Sequence, residues 1–404
     1  MPPLKIIHTS DWHLGQNLFN QERKEEHKQF LDWLLQTIDD QKVDALIISG
    51  DIFDNGTPPN YAEELYYQFL ARLLPLKVQV FITAGNHDSV STLEAPKTIL
   101  SALNIKVTAS IEIDKIAENI FPIFDNEGNE KALICNIPYL RERDVRKSFP
   151  GESHEERSQK YLTGVTQIYK KFNDEANKIT KELPTIATGH LFVAGGEISE
   201  SVADHYVGTL GYIPTRSIEF DFDYIAMGHL HKPQKLNNKV IYSGSPIPLS
   251  FSESTYQKTI QLLEISKGQL THKAIDVPQF HNLLVIKGDG EEILDKVKKC
   301  IDSQKEYCIE IQITTTTDVI TLKNELYNLM ENSNSKILRI INKIEYNPSL
   351  SESRHSNKTL DQFEVKDIFI ERLKEEELSE NSKKELESAF DELYREVISN
   401  GEDK

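Results

Sequence analysis

Short apolar runs alternate with amphipathic stretches through the first 105 residues of the chain. Residues 4–8, 45–49 and 78–83 are rich in aliphatic and β-branched side chains, which predicts buried strands. Residues 22–40 and 60–74 carry apolar side chains three and four positions apart, which predicts helices, and a third helix is expected at about 91–103. Alternating strands and helices predict a parallel sheet covered by helices.

The central part of the chain predicts a second sheet. Residues 132–137 form its clearest strand, a polar helix is expected at about 154–182, and strands follow at 185 and 224. Residues 240–243 and 259–265 are predicted to close this second sheet. The predicted fold class is α/β.

Composition and pattern divide the chain into four predicted segments. Residues 1–278 contain both sheets, and residues 279–346 follow a β-α-β-α-β pattern that predicts a small second domain. Residues 347–360 are polar and serine-rich, as in a linker. Residues 361–404 predict two amphipathic helices with 15 acidic and 7 basic residues, which are either a solvated hairpin or a docking element for a partner.

Five predicted strands end in carboxylate, amide or imidazole side chains, and a glycine comes just before these side chains at four of the five ends. Because ligands bind beyond the carboxyl ends of parallel strands, these side chains are expected to meet at one edge. The seven candidate metal ligands are Asp11, His13, Asp51, Asn86, His190, His229 and His231. One Asp-x-His pair is a weak signal, whereas five such strand ends in sequence order are specific for a metal site.

The ligand set predicts two metal ions about 3.5 to 4 Å apart. Asp51 ends the middle strand of the first three and is the expected bridge. Asp11, His13 and His231 are expected to complete one metal, and Asn86, His190 and His229 the other. Because the set is rich in imidazole and lacks thiolates, Mn, Fe or Zn is favoured over Mg.

Such a metal pair hydrolyses phosphoesters. His87 is next to the candidate ligand Asn86 and is the expected general acid for the leaving oxygen. Asp54 follows Asp51 closely and is expected either to orient His87 or to contact the metal shell.

Composition limits where this chemistry takes place. No apolar run approaches the roughly 18 to 20 residues that span a bilayer, and the first strand begins too early for a signal peptide to be expected. The 3 cysteines lack metal-site spacing, so reduced thiols and a cytoplasmic location are expected. With a net charge of −18, binding of a nucleic acid would need positive charge from metals and a partner.

The ligand motifs together resemble those of the calcineurin-like metallophosphoesterase superfamily. They are Asp11-x-His13, Gly50-Asp51-x-x-Asp54, Gly85-Asn86-His87-Asp88, Gly189-His190 and Gly228-His229-x-His231. The resemblance implies a four-layer α-β-β-α sandwich with a small α+β capping domain and a C-terminal helical tail. Within the superfamily, residues 9–15, Pro58-Pro59 and residues 242–251 are most similar to bacterial DNA nuclease subunits that act with a coiled-coil ATPase.

That resemblance implies a role for each segment. Residues 279–346 would position DNA over the metals, residues 361–404 would dock on the ATPase, and helices near 60–103 would pair two copies in a homodimer. Two Mn²⁺ ions would support an ATP-dependent 3′-to-5′ exonuclease on duplex DNA and an endonuclease on single strands and hairpins, in DNA repair, recombination and replication. Asp54 departs from archaeal and eukaryotic relatives, which often have His at this position.

Two other functions stay open from the sequence. A phosphodiesterase or phosphatase for small substrates would use the same metals but leave the C-terminal extension without a role. A non-catalytic scaffold that binds DNA ends would have no need of His87 as a proton donor. Arg141, Arg143 and Lys232 are either DNA contacts or ordinary surface charges.

Overall fold

The computed structural model describes residues 2–146, 151–197, 213–303, 305–315, 318–331 and 333–343, with six isolated positions between 373 and 390. The predicted linker at 347–360 lies outside the described residues, and so do the predicted tail helices at 361–404 apart from those six positions. None of the helices within the described ranges is long and apolar enough to cross a membrane.

The strands and helices that the sequence predicts occur in the predicted order, and further short elements lie between them. The strands are β1 (Leu4–Thr9), β2 (Asn17–Leu18), β3 (Gln21–Glu22), β4 (Ala45–Ser49), β5 (Gln79–Thr83), β6 (Ile105–Thr108), β7 (Ile120–Phe124), β8 (Glu130–Cys135), β9 (Thr185–His190), β10 (Tyr224–Gly228), β11 (Gln234–Lys235), β12 (Val240–Tyr242), β13 (Thr259–Ser266), β14 (Gln269–Asp276), β15 (Asn282–Gly288), β16 (Tyr307–Ile313) and β17 (Lys336–Asn342). The α-helices are α1 (Lys24–Gln41), α2 (Asn60–Leu73), α3 (Val90–Glu94), α4 (Lys97–Ala102), α5 (Glu142–Val145), α6 (His154–Ile179), α7 (Gly290–Asp302) and α8 (Val319–Met330).

The first sheet has the strand order β14-β13-β1-β4-β5-β6 within the described part of the chain. Strands β1, β4, β5 and β6 are parallel, so their carboxyl ends meet at one edge. Helices α1 and α2 cover the outer face. The indole of Trp12 packs edge-to-face between Phe30 of α1 and Phe69 of α2, with ring centres 5.8 and 5.3 Å away.

The predicted helix at about 91–103 is wrong in one respect, because two short helices occupy this region. Helix α3 begins after Ser89, whose hydroxyl accepts a hydrogen bond from the Thr92 N–H. Helix α4 begins after Pro96. Proline has no N–H to donate to the preceding turn, so the hydrogen-bond ladder is interrupted between the two helices.

The second sheet has the strand order β11-β12-β10-β9-β8-β7 among the described residues. Strands β8, β9, β10 and β12 are parallel. His190 at the end of β9 and His229 just after β10 therefore lie at the same edge of the sheet. Helix α6 covers its outer face with a buried apolar stripe that includes Val165, Ile168 and Phe172.

The prediction that residues 259–265 close the second sheet is wrong. Strand β13 instead pairs antiparallel with β1 in the first sheet, with Leu4 opposite Ile265 and His8 opposite Gln261. Most β13 side chains are buried on both faces. Such a strand suits the interior of either sheet, so its apolar content does not specify its neighbour.

The two sheets pack face to face. Ile6 and Ile47 of the first sheet share one buried cluster with Ile134, Ile186 and Ala226 of the second. With α1 and α2 on one outer face and α6 on the other, the four-layer α-β-β-α architecture is confirmed.

Strands β15, β16 and β17 form a third, parallel sheet that α7 and α8 accompany. Leu283 of this sheet joins Leu18 and Phe251 in a small buried cluster, which ties it to the rest of the structure. Met1–Ile344 holds together as one unit by its contacts. The separate domain at 279–346 therefore stays a prediction.

Candidate metal centre

The candidate ligands lie where the parallel strands of both sheets end. Asp11, His13, Asp51 and His229 all have left-handed backbone conformations, with φ values of 53°, 45°, 50° and 92°. Residues other than glycine rarely adopt positive φ, and such strain concentrates at functional sites. Gly85 is required for a different reason, because a Cβ atom there would lie 2.1 Å from Asp51 Oδ1.

Asp11, His13 and His231 form the first ligand group, with one donor atom from each lying within 4.8 Å of the others. Asp11 is held by the His229 N–H, which donates to its Oδ1 at 2.8 Å. His13 Nδ1 donates to Asp54 Oδ1 at 3.2 Å, and His231 Nδ1 donates to Glu253 Oε1 at 3.1 Å. Both Nε2 atoms are thereby assigned to the ligand side, as in carboxylate–histidine–metal arrangements.

Asp51, His190 and His229 form the second group, again with donor atoms within 4.8 Å. Asn86 completes it, because its Oδ1 lies 3.0 Å from both His190 Nε2 and His229 Nδ1. The Nδ1 of His190 donates to the Ser49 carbonyl at 2.9 Å, which directs its Nε2 to the centre. The candidate residues thus lie together, and a further set, His13, Asp54 and His87, also has donor atoms within 4.8 Å of one another. Which of these residues bind a metal stays a prediction.

Asp51 lies between the two groups. Its Oδ2 is 3.0 Å from His190 Nε2 in the second group and 3.6 Å from His13 Nε2 in the first. Burial favours the neutral acid, but the neighbouring His190 outweighs it and holds the pKa of Asp51 well below its ordinary value. A buried carboxylate that stays ionised and faces both groups has the position of a bridging ligand.

The donor set fits divalent cations. It contains carboxylate, amide and imidazole donors and no thiolate, a combination that suits Mn, Fe or Zn. His13 Nε2 is buried and has no hydrogen-bond partner among the described residues. A buried polar atom is normally satisfied, and a cation in the first group would satisfy this one.

His87 and Asp54 lie beside the first group. The His87 N–H donates to Asp51 Oδ1 at 2.9 Å, and its ring centre is 4.8 Å from that of His13. His87 Nδ1 donates to the Asp54 backbone carbonyl at 2.7 Å. Asp54 thus contacts both histidines, the candidate ligand His13 through its side chain and His87 through its backbone. Although burial opposes ionisation, the bond from His13 lowers the pKa of Asp54.

Two acidic residues of this region have structural roles that the sequence analysis missed. Asp88 accepts hydrogen bonds from the N–H groups of Ile52, Phe53 and Gly85 at 3.2, 3.0 and 2.8 Å. It therefore joins the loops that follow β4 and β5. Burial, and then the charge of Asp51, raise its pKa to about 6. Its position directly after His87 was the available signal.

Glu253 is the second missed residue, and it is fully buried in the 3-10 helix Phe251–Thr255. Besides the bond from His231, it accepts from Lys258 Nζ at 2.6 Å and from the Leu249 N–H at 3.1 Å. Burial opposes its ionisation, but Lys258 and His231 hold its pKa well below the ordinary value. No local motif marks it, because Glu253 and Lys258 lie in a mostly polar stretch, where an acid and a lysine are ordinary surface residues.

The three basic residues considered from the sequence have different surroundings. Lys232 forms a salt bridge with Glu197. The exposed Arg143 side chain lies 3.7 Å from Asp144. Arg141 donates from Nη2 to the Asp88 carbonyl at 3.0 Å, which places it beside the centre.

The fold and the clustered donors define a metal-dependent phosphoesterase with two packed sheets. Residues 4–233 match the family model described as calcineurin-like phosphoesterase, and residues 279–377 match one described as type 5 capsule protein repressor C-terminal domain. A relative from Escherichia coli, the SbcD component of the nuclease SbcCD, is 37% identical over 96% of this chain and 97% of its own length. SbcD relatives from Rhodobacter capsulatus and Bacillus subtilis are 32% and 28% identical, over 74% and 66% of this chain and 75% and 67% of their own lengths.

The chain therefore belongs to the calcineurin-like phosphoesterases and, among them, to the SbcD family of nuclease components. Membership of this family implies binding of a divalent metal and hydrolysis of a phosphodiester.

Proposed function

We propose that the chain is the nuclease component of an SbcCD-type complex and hydrolyses DNA phosphodiesters with two divalent cations. The observation that carries the proposal is the position of Asp51 between two ligand groups, with His87 beside them. Asp11, His13 and His231 would hold one cation, and Asn86, His190 and His229 the other. Mn²⁺ is the proposed occupant of both positions, with Mg²⁺, Fe or Zn as the alternatives.

When bound, such a pair of cations acidifies water for attack and neutralises charge on the phosphate oxygens. The side chains of the centre then have separate tasks. Asp51 is fixed by its contacts to His190 and the His87 N–H. It therefore holds the two ligand groups at a fixed distance from each other. Asp54 and Glu253 orient His13 and His231 through their Nδ1 atoms.

His87 is the proposed proton donor to the leaving oxygen. Because its Nδ1 proton is committed to the Asp54 carbonyl at 2.7 Å, the protonated ring donates from Nε2. The bond from the His87 N–H to Asp51 fixes the distance between the acid and the bridging carboxylate. Asp54 is therefore a positioning residue for His87 through its backbone, and the identity of its side chain matters mainly for His13.

DNA is the proposed substrate, and the charge of the chain indicates that it does not bind DNA tightly alone. A net charge of −18 repels phosphates, so productive binding depends on the basic surface and ATP state of a partner. The proposed partner is an SbcC-type coiled-coil ATPase, docked on the tail at 361–404. Residues 279–346 would cap the site and position DNA, residues 347–360 would link them, and two copies would form a homodimer within a heterotetramer.

The activities proposed are ATP-dependent 3′-to-5′ exonuclease on duplex ends and endonuclease on single strands and hairpins. The test compares the chain, with and without its co-expressed ATPase, on these DNAs and on a small phosphodiester in Mn²⁺. Wild type should cut DNA, and His87→Ala should bind two metals but lose cutting. Hydrolysis of the small diester without any DNA cutting would favour a small-substrate phosphodiesterase, and metal binding without hydrolysis would favour a scaffold.

A further inference from the structure

Several cations in the described part of the chain already have carboxylate partners. The pairs are Lys258 with Glu253, Arg23 with Glu26, Lys232 with Glu197, and Arg146 with Glu142 and Glu152. In a chain with a net charge of −18, these pairs leave little positive charge for a phosphate.

Arg141 differs from these cations. Its guanidinium forms no salt bridge with any described residue, and its Nη1 is buried without a hydrogen-bond partner among them. Its Nη2 is fixed by the 3.0 Å bond to the Asp88 carbonyl. The guanidinium carbon lies 5.9 Å from the centre of the Tyr139 ring. The side chain is thus held in place by neutral groups, with the NH2 group at Nη1 unsatisfied.

Arg141 lies one side chain away from the reacting groups. Asp88, which accepts its hydrogen bond, directly follows His87. The Tyr139 ring, which lies beside it, meets the His190 ring edge-on at 6.2 Å. The Tyr139 N–H also donates to the Ala84 carbonyl at 2.8 Å, which fastens this segment to the loop after β5. Arg141 therefore contacts the neighbours of His87 and His190 rather than those residues.

We propose that Arg141 binds a phosphate of the DNA strand adjacent to the phosphate that is cleaved. The inference rests on the proposed nuclease function and adds a subsite to it. A guanidinium presents planar, permanently charged donors that match phosphate oxygens. The Arg141 side chain is half-buried, and a rotation of its guanidinium would give the unsatisfied Nη1 an anionic acceptor. Because Arg141 is one side chain removed from the centre, it selects polynucleotides and contributes nothing to a substrate with a single phosphate.

The test compares Arg141→Gln with the matched control Arg143→Gln, whose side chain is 76% exposed. The full-length chain is purified with its ATPase and loaded with Mn²⁺. Steady-state kinetics are measured on a single-stranded oligonucleotide and on bis(p-nitrophenyl) phosphate, and the salt dependence of oligonucleotide binding is followed by fluorescence anisotropy.

Arg141→Gln should raise the oligonucleotide KM about 10- to 100-fold, the effect of losing one charged hydrogen-bond contact, with little change in kcat. The slope of log K against log salt should fall by about 0.7, as expected for one lost phosphate contact to a single strand. Hydrolysis of the small diester should not change. Arg143→Gln should match wild type in all three measurements.

An Arg141 that only braces the His87 loop through the Asp88 carbonyl gives a different result. Arg141→Gln would then lower kcat on both substrates equally and leave the salt slope unchanged, which overturns the inference. If the glutamine variant does not fold, Arg141→Lys is measured in its place. A higher oligonucleotide KM with normal hydrolysis of the small diester supports the subsite. An equal loss of activity on both substrates refutes it. A wild-type complex that hydrolyses the diester but no DNA contradicts the nuclease proposal itself.

Discussion

Replacing Glu253 with glutamine should weaken metal binding while the chain still folds. Glu253 is fully buried and accepts hydrogen bonds from His231 Nδ1 at 3.1 Å and Lys258 Nζ at 2.6 Å. Glutamine keeps the length and shape of the side chain but removes its charge. The His231 ring then loses the carboxylate that fixes its orientation and raises its basicity as a ligand.

Two separate losses are expected from this substitution. Loss of a carboxylate partner typically lowers the metal affinity of a histidine site 10- to 100-fold, or about 1.4 to 2.7 kcal/mol. Lys258 also loses its ion-pair partner, and breaking a buried pair costs about 3 to 5 kcal/mol. Because Ser245 Oγ and the His231 carbonyl still accept from Lys258 Nζ at 2.8 and 3.1 Å, we expect the lower end of that range.

Calorimetric titration of Mn²⁺ into the metal-free chain measures the first loss, and urea unfolding in a chelator measures the second. Glu264→Gln is the matched control, because Glu264 also faces a lysine, Lys273, at 3.8 Å but lies away from the centre. The control should bind Mn²⁺ like wild type. A folded Glu253→Gln variant that binds both Mn²⁺ ions with wild-type affinity would refute the positioning role.

Three further outcomes are expected. Gly85→Ala should abolish tight metal binding, because its Cβ would lie 2.1 Å from Asp51 Oδ1. The control Gly56→Ala should bind metal normally in the same titration, because the atom nearest to its Cβ would be 3.7 Å away. Burial lowers the pKa of His8 from 6.5 to about 3, so between these two pH values the unfolded chain binds a proton that the folded chain does not, and stability falls as the pH falls. His8→Gln should reduce this loss in the free energy of unfolding by about 1.4 kcal/mol per pH unit, measured from urea unfolding of wild type and variant at about pH 7 and 5. The same pH dependence in both proteins would contradict this role of His8. Asp88→Ala, which frees three backbone N–H groups, should cost about 2 to 4 kcal/mol in thermal or urea unfolding, and a neutral result would show that water replaces these bonds.

The strand ends of the centre could be predicted because each has a local signature. An apolar run places a strand in the interior, and a glycine follows where a side chain does not fit. Gly50 before Asp51 has a φ of 87°, and Gly228 before His229 is closely packed. A Cβ on Gly228 would lie 2.0 Å from the Ser49 carbonyl. Glycine at this position therefore allows β10 of the second sheet to approach β4 of the first. The chemistry and the fold class followed from these signatures together.

The parts that could not be predicted depend on contacts between distant residues. Strand β13 joins the first sheet through its pairing with β1 at the start of the chain, and no local pattern specifies that pairing. Glu253 reaches His231 from a short 3-10 helix without periodicity. Asp54 was expected to orient His87 or contact the metal shell, and the structure shows why both were plausible. Its carbonyl and its carboxylate contact different histidines.

Anomalous diffraction from crystals grown with Mn²⁺ would show whether Asp51 lies between two cations. Two peaks are expected, one on each side of the Asp51 carboxylate and about 3.5 to 4 Å apart. One should be surrounded by Asp11, His13 and His231, and the other by Asn86, His190 and His229. A single peak, or peaks that do not share Asp51, would contradict this expectation.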